Sequence, residues 1–333
     1  MDQFSAHLDR GWDLVQRGDS RGAELSARRA LELDAQSPEA HNLLGYVAAL
    51  QGEFEDAIES YREAIALDDT YLEAMLNAAE VYIHPLGDFD EALRICDHAL
   101  SLAENDDELV DTLLLKFDAH LGKGELDEAK VLCGRFPPGP FENPNHTFLV
   151  GRALYETGDV ERAAPLIEEA VKRSGKNPEA TYYLGLVRDE RGDARGATVA
   201  FLNARELDLE LPAPVWTLTR ETFEVTAKRA VLSLPDDLRV YIREDEVYAA
   251  DTPGVEVVVD GVDPRALLLL DGVNAREASE RPTARVFVYQ RNVERLAGSV
   301  ELVEAEIRSA LEREITLSFV EAEPKNDPDS QLN

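Results

Sequence analysis

Metal-binding and redox side chains are scarce in this chain of 333 residues, which has two cysteines and six histidines. The histidines are His7, His41, His84, His98, His120 and His146, and the cysteines are Cys96 and Cys133. From residue 147 onward there is neither, so a zinc site in that half could draw only on carboxylates, which suit magnesium or calcium better. Basic charge is also scarce: 34 Lys and Arg, mostly Arg, face 67 Asp and Glu, a net charge of −33. Such a surface repels phosphate backbones and anionic lipid, which argues against nucleic-acid or membrane partners and favours basic or apolar ones. Long apolar runs are missing too; the aliphatic stretch from Ala266 to Leu270 is far too short to span a bilayer. The N-terminal stretch lacks the basic start and apolar core of an export signal, so the cytoplasm is the expected compartment and a disulfide is disfavoured. Neither a glycine-rich phosphate loop nor a Gly-x-Ser-x-Gly elbow occurs, and no cofactor is expected.

What is present is a repeat. A glycine followed by an acid recurs at Gly18-Asp19, Gly52-Glu53, Gly87-Asp88, Gly124-Glu125, Gly158-Asp159 and Gly192-Asp193, at intervals of 34, 35, 37, 34 and 34 residues by subtraction. The stretch Pro38 to Tyr71 displays the unit: two short amphipathic segments around Gly52, with Leu44, Gly45 and Ala48 on the first and Ala57, Tyr61 and Ala64 on the second. A helix pair this short cannot bury its apolar stripe alone, so it must stack on its copies. Cys96 and Cys133 take the place of Tyr61 in their repeats and read as core residues. The third repeat has one extra residue beside Pro85, and the fourth ends in Pro137-Pro138-Gly139-Pro140, which breaks or bends the stack.

The set Leu44-Gly45, Gly52, Ala57, Tyr61 and Ala64, repeated as Leu184-Gly185, Gly192, Ala197, Phe201 and Ala204, resembles the tetratricopeptide repeat. The resemblance implies an all-α right-handed superhelical solenoid of about six repeats over residues 1–211, with first helices lining a concave groove. Positions that line the groove in that family map to Glu39, Asn42, Tyr46 and Leu50, to Glu73, Leu76, Glu80, Ile83 and His84, and to Asp111, Leu114 and Asp118. They continue with Asn145, Phe148, Arg152 and Tyr155, and with Glu179, Tyr182, Leu186, Asp189 and Glu190. The basic set with which the family clamps C-terminal carboxylates is missing. An aromatic and apolar strip edged by acids suits a neutral or basic peptide or helix of a partner, or equally the chain's own C-terminal region.

The period stops at Leu211-Pro212-Ala213-Pro214, with Trp216 expected over the exposed face of the last repeat. Residues 212–322 read as a smaller α+β domain and 323–333 as a disordered polar tail. A helix is expected at Glu221 to Ser233, stopped by Leu234-Pro235, then strands at Arg239 to Arg243, Val255 to Asp260 and Arg285 to Gln290. A final helix, N-capped by Ser299, should run to Phe319. This order, with Asp251-Thr252-Pro253, Gly272, Arg276 and Val286-Phe287-Val288-Tyr289, resembles the minimal zincin class of metallopeptidases. That resemblance implies His-Glu-x-x-His on the last helix, where this chain has Arg313-Glu314-Ile315-Thr316-Leu317. The glutamate is kept and both histidines are lost, and Arg313 puts fixed positive charge where a cation would sit. Glu314 is therefore a vestigial catalytic candidate, and no metal is expected. Acid pairs such as Asp236-Asp237, Glu244-Asp245-Glu246 and Glu312 with Glu314 read as surface charge in so acidic a chain. The leading expectation is a non-catalytic scaffold carrying a metal-free pseudo-peptidase domain. The alternatives are a divergent metallopeptidase-like hydrolase using Glu314, and an acidic decoy that binds basic proteins.

Overall fold

A computed structural model describes residues 2–139, 141–274 and 283–321. Within them the chain forms two compact units, Met1–Gly175 and Lys176–Asn333.

The first unit is a row of helix pairs: α1 (Gln3–Gln16) and α2 (Ser20–Leu33), α3 (Pro38–Gln51) and α4 (Phe54–Leu67), α5 (Leu72–Ile83) and α6 (Phe89–Leu102), α7 (Asp106–Gly122) and α8 (Leu126–Cys133), α9 (Pro144–Glu156) and α10 (Val160–Arg173). The Gly-acid signal has a local physical basis. Gly18, Gly52, Gly87, Gly124 and Gly158 all have φ between 64° and 83°, the left-handed conformation that closes a helix and costs least for glycine. The following acid opens the next helix. Asp19, Asp88 and Asp159 accept hydrogen bonds from the backbone N–H three residues on, whereas Glu53 and Glu125 occupy the cap without that bond. Each first helix touches the first helix of the next pair, so α1, α3, α5, α7 and α9 form a continuous inner row.

The extra residue of the third pair is absorbed where Pro85 stands. Asp88 N–H reaches back to the Tyr82 carbonyl at 2.8 Å, one residue further than Glu53 N–H reaches to Ala48 at 2.9 Å. The fourth pair is cut short: α8 ends at Cys133 before Pro137 and Pro138, leaving Phe136 and Phe141 buried outside any helix. Close approach within pairs explains the small residues. A Cβ on Gly45 would lie 2.7 Å from the Tyr61 ring.

The second unit begins with another pair, α11 (Pro178–Glu190) and α12 (Ala194–Glu210), around Gly192 at φ 78°. It continues through α13 (Arg220–Leu232), α14 (Asp236–Arg239), β1 (Ile242–Ala250), α15 (Val255–Val259), β2 (Leu268–Asn274), β3 (Thr283–Tyr289), α16 (Gln290–Ala297) and α17 (Val303–Ile315). The sheet order is β1-β3-β2, with β1 parallel and β2 antiparallel to the central strand. Phe223 and Val231 of α13, Val247, Val286 and Val288 of the sheet, and Ile307, Leu311 and Ile315 of α17 form one apolar core.

Several expectations are corrected here. Val255–Val259 is a helical turn with Val258 N–H on the Gly254 carbonyl, not a strand; only Val258 is buried, and Leu268–Asn274 supplies the third strand instead. The strand expected at Arg239 to Arg243 starts at Ile242 and runs on to Ala250. Between Ile242, opposite Ala284, and Val247, opposite Val286, the register slips, and Glu244-Asp245-Glu246 bulge from the sheet's edge. Helix α16 was not foreseen because three of its buried residues, Gln290, Asn292 and Glu294, are polar. They hold loops: Asn292 donates to the carbonyls of Pro264 and Ala266, while Glu294 accepts from Leu218 N–H. The last helix is a 3-10 turn at Val300–Leu302, then α17, then a π turn at Thr316–Val320; the Ser299 side chain does not cap it. Trp216 packs on the core of the sheet and helices. Arg276 and the tail 323–333 lie outside the described residues.

Candidate groove on the first helices

The inner row of the first unit carries two adjoining cavities. The larger, of about 760 Å³, is bounded by α5, α7 and α9, with Leu76, Ile83, Leu114, Leu115 and Leu149 as its apolar wall and Glu80, Asp111, Asp118 and Arg152 as its charged rim. The smaller, of about 240 Å³, lies between α3, α4 and α5 against Tyr46, Leu50, Phe54 and Tyr61. Asn77, Glu80 and His84 belong to both, so the two form one cleft.

Of the residues expected on this face, Tyr46, Leu50, Leu76, Glu80, Ile83, His84, Asp111, Leu114, Asp118 and Arg152 line the cleft. Leu50 is 55% exposed, a large apolar side chain left in water. Others serve the scaffold. Asn42 is fully buried; its amide donates to Tyr71 Oη and Glu73 Oε1, each at 3.2 Å, and accepts from Asn77 at 3.0 Å. It ties α3 to α5 and is closed to a ligand, and it occupies the Glu73 carboxylate as well. Glu39 accepts from the Ser37 hydroxyl at 2.7 Å. Phe148 is buried and Tyr155 half-buried.

The carboxylates of the cleft differ in what satisfies them. Asp111 is held by His146, a buried histidine whose two ring nitrogens face Asp107 and Asp111 at 3.0 and 2.8 Å and so clasp α9 to α7. Its sequence signal was only that of a lone histidine. Asp118 lies 3.4 Å from Arg152 Nη2. Burial pushes its carboxyl above the usual range, with Arg152 and His84 pulling the other way and Glu156 adding to the rise. Arg152 Nε is buried without a hydrogen bond, 3.7 Å from Glu156. The Glu80 side chain has no hydrogen bond or ion pair among the described residues, although its backbone carbonyl accepts from His84 N–H at 3.0 Å. Phe89 and Asn77 also line the cleft and were not anticipated; Phe89 packs where Gly122 leaves room, since a Cβ there would lie 2.2 Å from its ring.

In the second unit the corresponding inner-face positions of α11 are filled. Arg265 lies with its guanidinium 4.3 Å from the Tyr182 ring centroid, donates to Glu179 at 3.0 Å and forms two bonds to Asp208 at 2.9 and 3.2 Å. Tyr182 in turn donates to Asp263 at 2.7 Å, and Arg295 reaches both Asp208 and Glu179. Tyr182 is therefore not an open groove residue: the chain's own C-terminal part occupies that position. Leu186 is half-buried and Asp189 exposed.

Glu314, on α17, is 38% exposed in its side chain and pairs with the neighbouring Arg313 at 3.3 Å. No group of three or more His, Cys, Asp or Glu poised to hold a metal occurs among the described residues. Cys96 and Cys133 are buried and unpaired, and burial pushes the Cys96 thiol up to about 12. No described helix is long and apolar enough to cross a membrane.

Family models of the tetratricopeptide repeat match residues 8–71 and 149–206, and residues 48–116. Among solved structures, one from the functional characterization of Pseudomonas aeruginosa pilF is similar at 20% identity and TM-score 0.54, over 62% of this chain and 93% of that one. The crystal structure of PilW, a widely conserved type IV pilus biogenesis factor, is similar at 16% identity and TM-score 0.53, over 65% and 97%. At these identities the likeness is one of fold. No match was found among curated proteins.

Proposed function

We propose that this chain, which carries tetratricopeptide repeats, is a non-catalytic protein-protein interaction scaffold whose groove takes a peptide or helix from a partner of basic or apolar character. The observation that carries this reading is the cleft along α3, α5, α7 and α9, apolar on its wall and edged by Glu80, Asp111 and Asp118, with Leu50 exposed at one end. An apolar strip rimmed by carboxylates offers little to a phosphate backbone or an anionic headgroup. Buried, unpaired thiols suit a reducing compartment, and the cytoplasm is the one we assign.

Within the same reading, the C-terminal part is a metal-free relative of the minimal zincins. The order α13, Asp251-Thr252-Pro253, β2, β3 and α17 supports it, as does Glu314 spent on an ion pair with Arg313. Affinity capture with the full chain and with a groove variant, Leu76→Gln, tests the scaffold. Partners held by the first and lost from the second are expected; equal capture by both would move binding off the groove. Glu314→Gln is expected to leave any background peptide cleavage unchanged, and cleavage abolished by it would restore the hydrolase.

A further inference from the structure

The second unit displays how an inner-face position of these helices treats an arginine. Arg265 is only 16% exposed in its side chain, stacked on Tyr182 and paired with Glu179 and Asp208. A planar guanidinium satisfies such a site in two ways at once, by its face against the aromatic ring and by its edge towards carboxylates.

The smaller cavity of the first unit holds the same two components without an occupant among the described residues. Tyr46 presents a half-buried ring, steadied by Trp12 at a centroid distance of 5.3 Å, and Glu80 presents a carboxylate that nothing described pairs. Leu50 and Phe54 complete an apolar sleeve for a methylene stem. Glu80 and His84 open directly onto the larger cavity with its Leu76, Leu114, Leu115 and Leu149 wall.

We propose that the pocket between Tyr46 and Glu80 binds an arginine side chain of the partner peptide, with large apolar residues beside that arginine seated in the larger cavity. The inference rests on the groove reading above and narrows it from a basic or apolar partner to a specific pairing. Glu80 supplies the counter-charge and Tyr46 the stacking face. The mode differs from acidic decoy binding, in which any cluster of positive charge would serve and affinity would collapse with salt.

The test uses the full chain as bait for a random peptide library displayed on phage, with enriched sequences resynthesised and measured by fluorescence anisotropy. The expected outcome is enrichment of an arginine next to Leu, Ile or Phe, with affinity falling about tenfold when Glu80→Gln is introduced, a loss of about 1.4 kcal/mol. Tyr46→Ala should weaken binding similarly and Tyr46→Phe should not. Replacing the peptide's arginine by lysine should weaken it as well, since an ammonium lacks the stacking face. Peptides that lose affinity with Leu76→Gln but show no arginine preference, or no response to Glu80→Gln, would overturn this inference and leave the groove reading standing. Peptides indifferent to Leu76→Gln, Glu80→Gln and Tyr46→Ala alike, or no enrichment at all, would overturn both. Glu80 is exposed and its carboxylate has no hydrogen bond or ion pair among the described residues, so its variant separates binding from stability.

Discussion

The inner face of α11 and that of α3 and α5 present similar chemistry in opposite states. On α11 a glutamate and a tyrosine are satisfied by Arg265, and Asp208 and Arg295 extend the contact into a four-membered charge network. On α3 and α5 a tyrosine and a glutamate line an open pocket. The difference teaches that repeat position alone does not make a binding residue. Whether a neighbouring segment supplies the counter-group decides it, and that segment can lie far along the chain, as the sequence separation of 86 from Glu179 to Arg265 illustrates.

The most forceful way to break the comparison is to empty the filled site. Arg265→Ala removes three bonds and leaves Asp208, 12% exposed in its side chain, with Arg295 as its remaining partner. Because Arg295 still compensates Asp208, the cost falls below that of stranding a buried charge, at about 2 kcal/mol, the scale of hydrogen bonds to charged groups. Urea denaturation should register that loss, and hydrogen exchange should report lost protection in α11. A loss below about 0.5 kcal/mol, the scale of ordinary surface changes, would mean the network decorates the contact without holding it.

A second perturbation tests whether the two regions tolerate crowding differently. A Cβ on Gly45 would lie 2.7 Å from the Tyr61 ring and 3.0 Å from the Ala57 carbonyl; one on Gly185 would lie 2.4 Å from the Phe201 ring. The shorter distance is the more forgiving one. Tyr61 is 1% exposed and cannot move aside, whereas Phe201 is half-buried at the edge of its pair. Gly45→Ala should therefore cost about 1–3 kcal/mol as an overpacked contact, reduced by the ~1 kcal/mol that alanine gains in a helix. Gly185→Ala should cost less. Thermal melts of both variants check the order, and the reverse order would show that the ring of Phe201 is the more tightly held.

How much of this was legible in the sequence follows from how local each signal is. The helix pairs were readable because a left-handed glycine, an acid that caps the next helix and a small residue under an aromatic ring recur within a few residues of one another. The cleft was readable for the same reason, since Tyr46, Leu76, Glu80 and Asp118 follow from repeat position. Residues whose roles are set by distant partners were not. Asn42 looked like a ligand contact and is a buried tie between helices, and Tyr182 looked open and is filled by Arg265. His146 showed no spacing to separate a clasp from a lone histidine. In the second unit, α16 hid behind buried polar residues, and Val255–Val259 misled through β-branched composition that tertiary packing overrides.

The mildest perturbation concerns the charge of the cleft itself. Asp118 carries a carboxyl raised by burial, with Arg152 and His84 opposing the rise. A carboxyl raised in the folded state favours folding most when protonated. Its contribution is full below its unfolded value near 3.8 and is lost as pH climbs through the folded value. Asp118→Asn, which keeps the shape without the charge, should therefore gain on the parent protein as pH rises from about 4 to 7, with the two converging in acid. The opposed pull of Arg152 and His84 makes this the smallest of the effects. Denaturant midpoints of both proteins across that range measure it. A parent that gains on the variant towards neutral pH would mean that the Arg152 pair outweighs burial, and the rim beside Asp118 would then belong with the satisfied charges of α11 and not with the open pocket at Glu80.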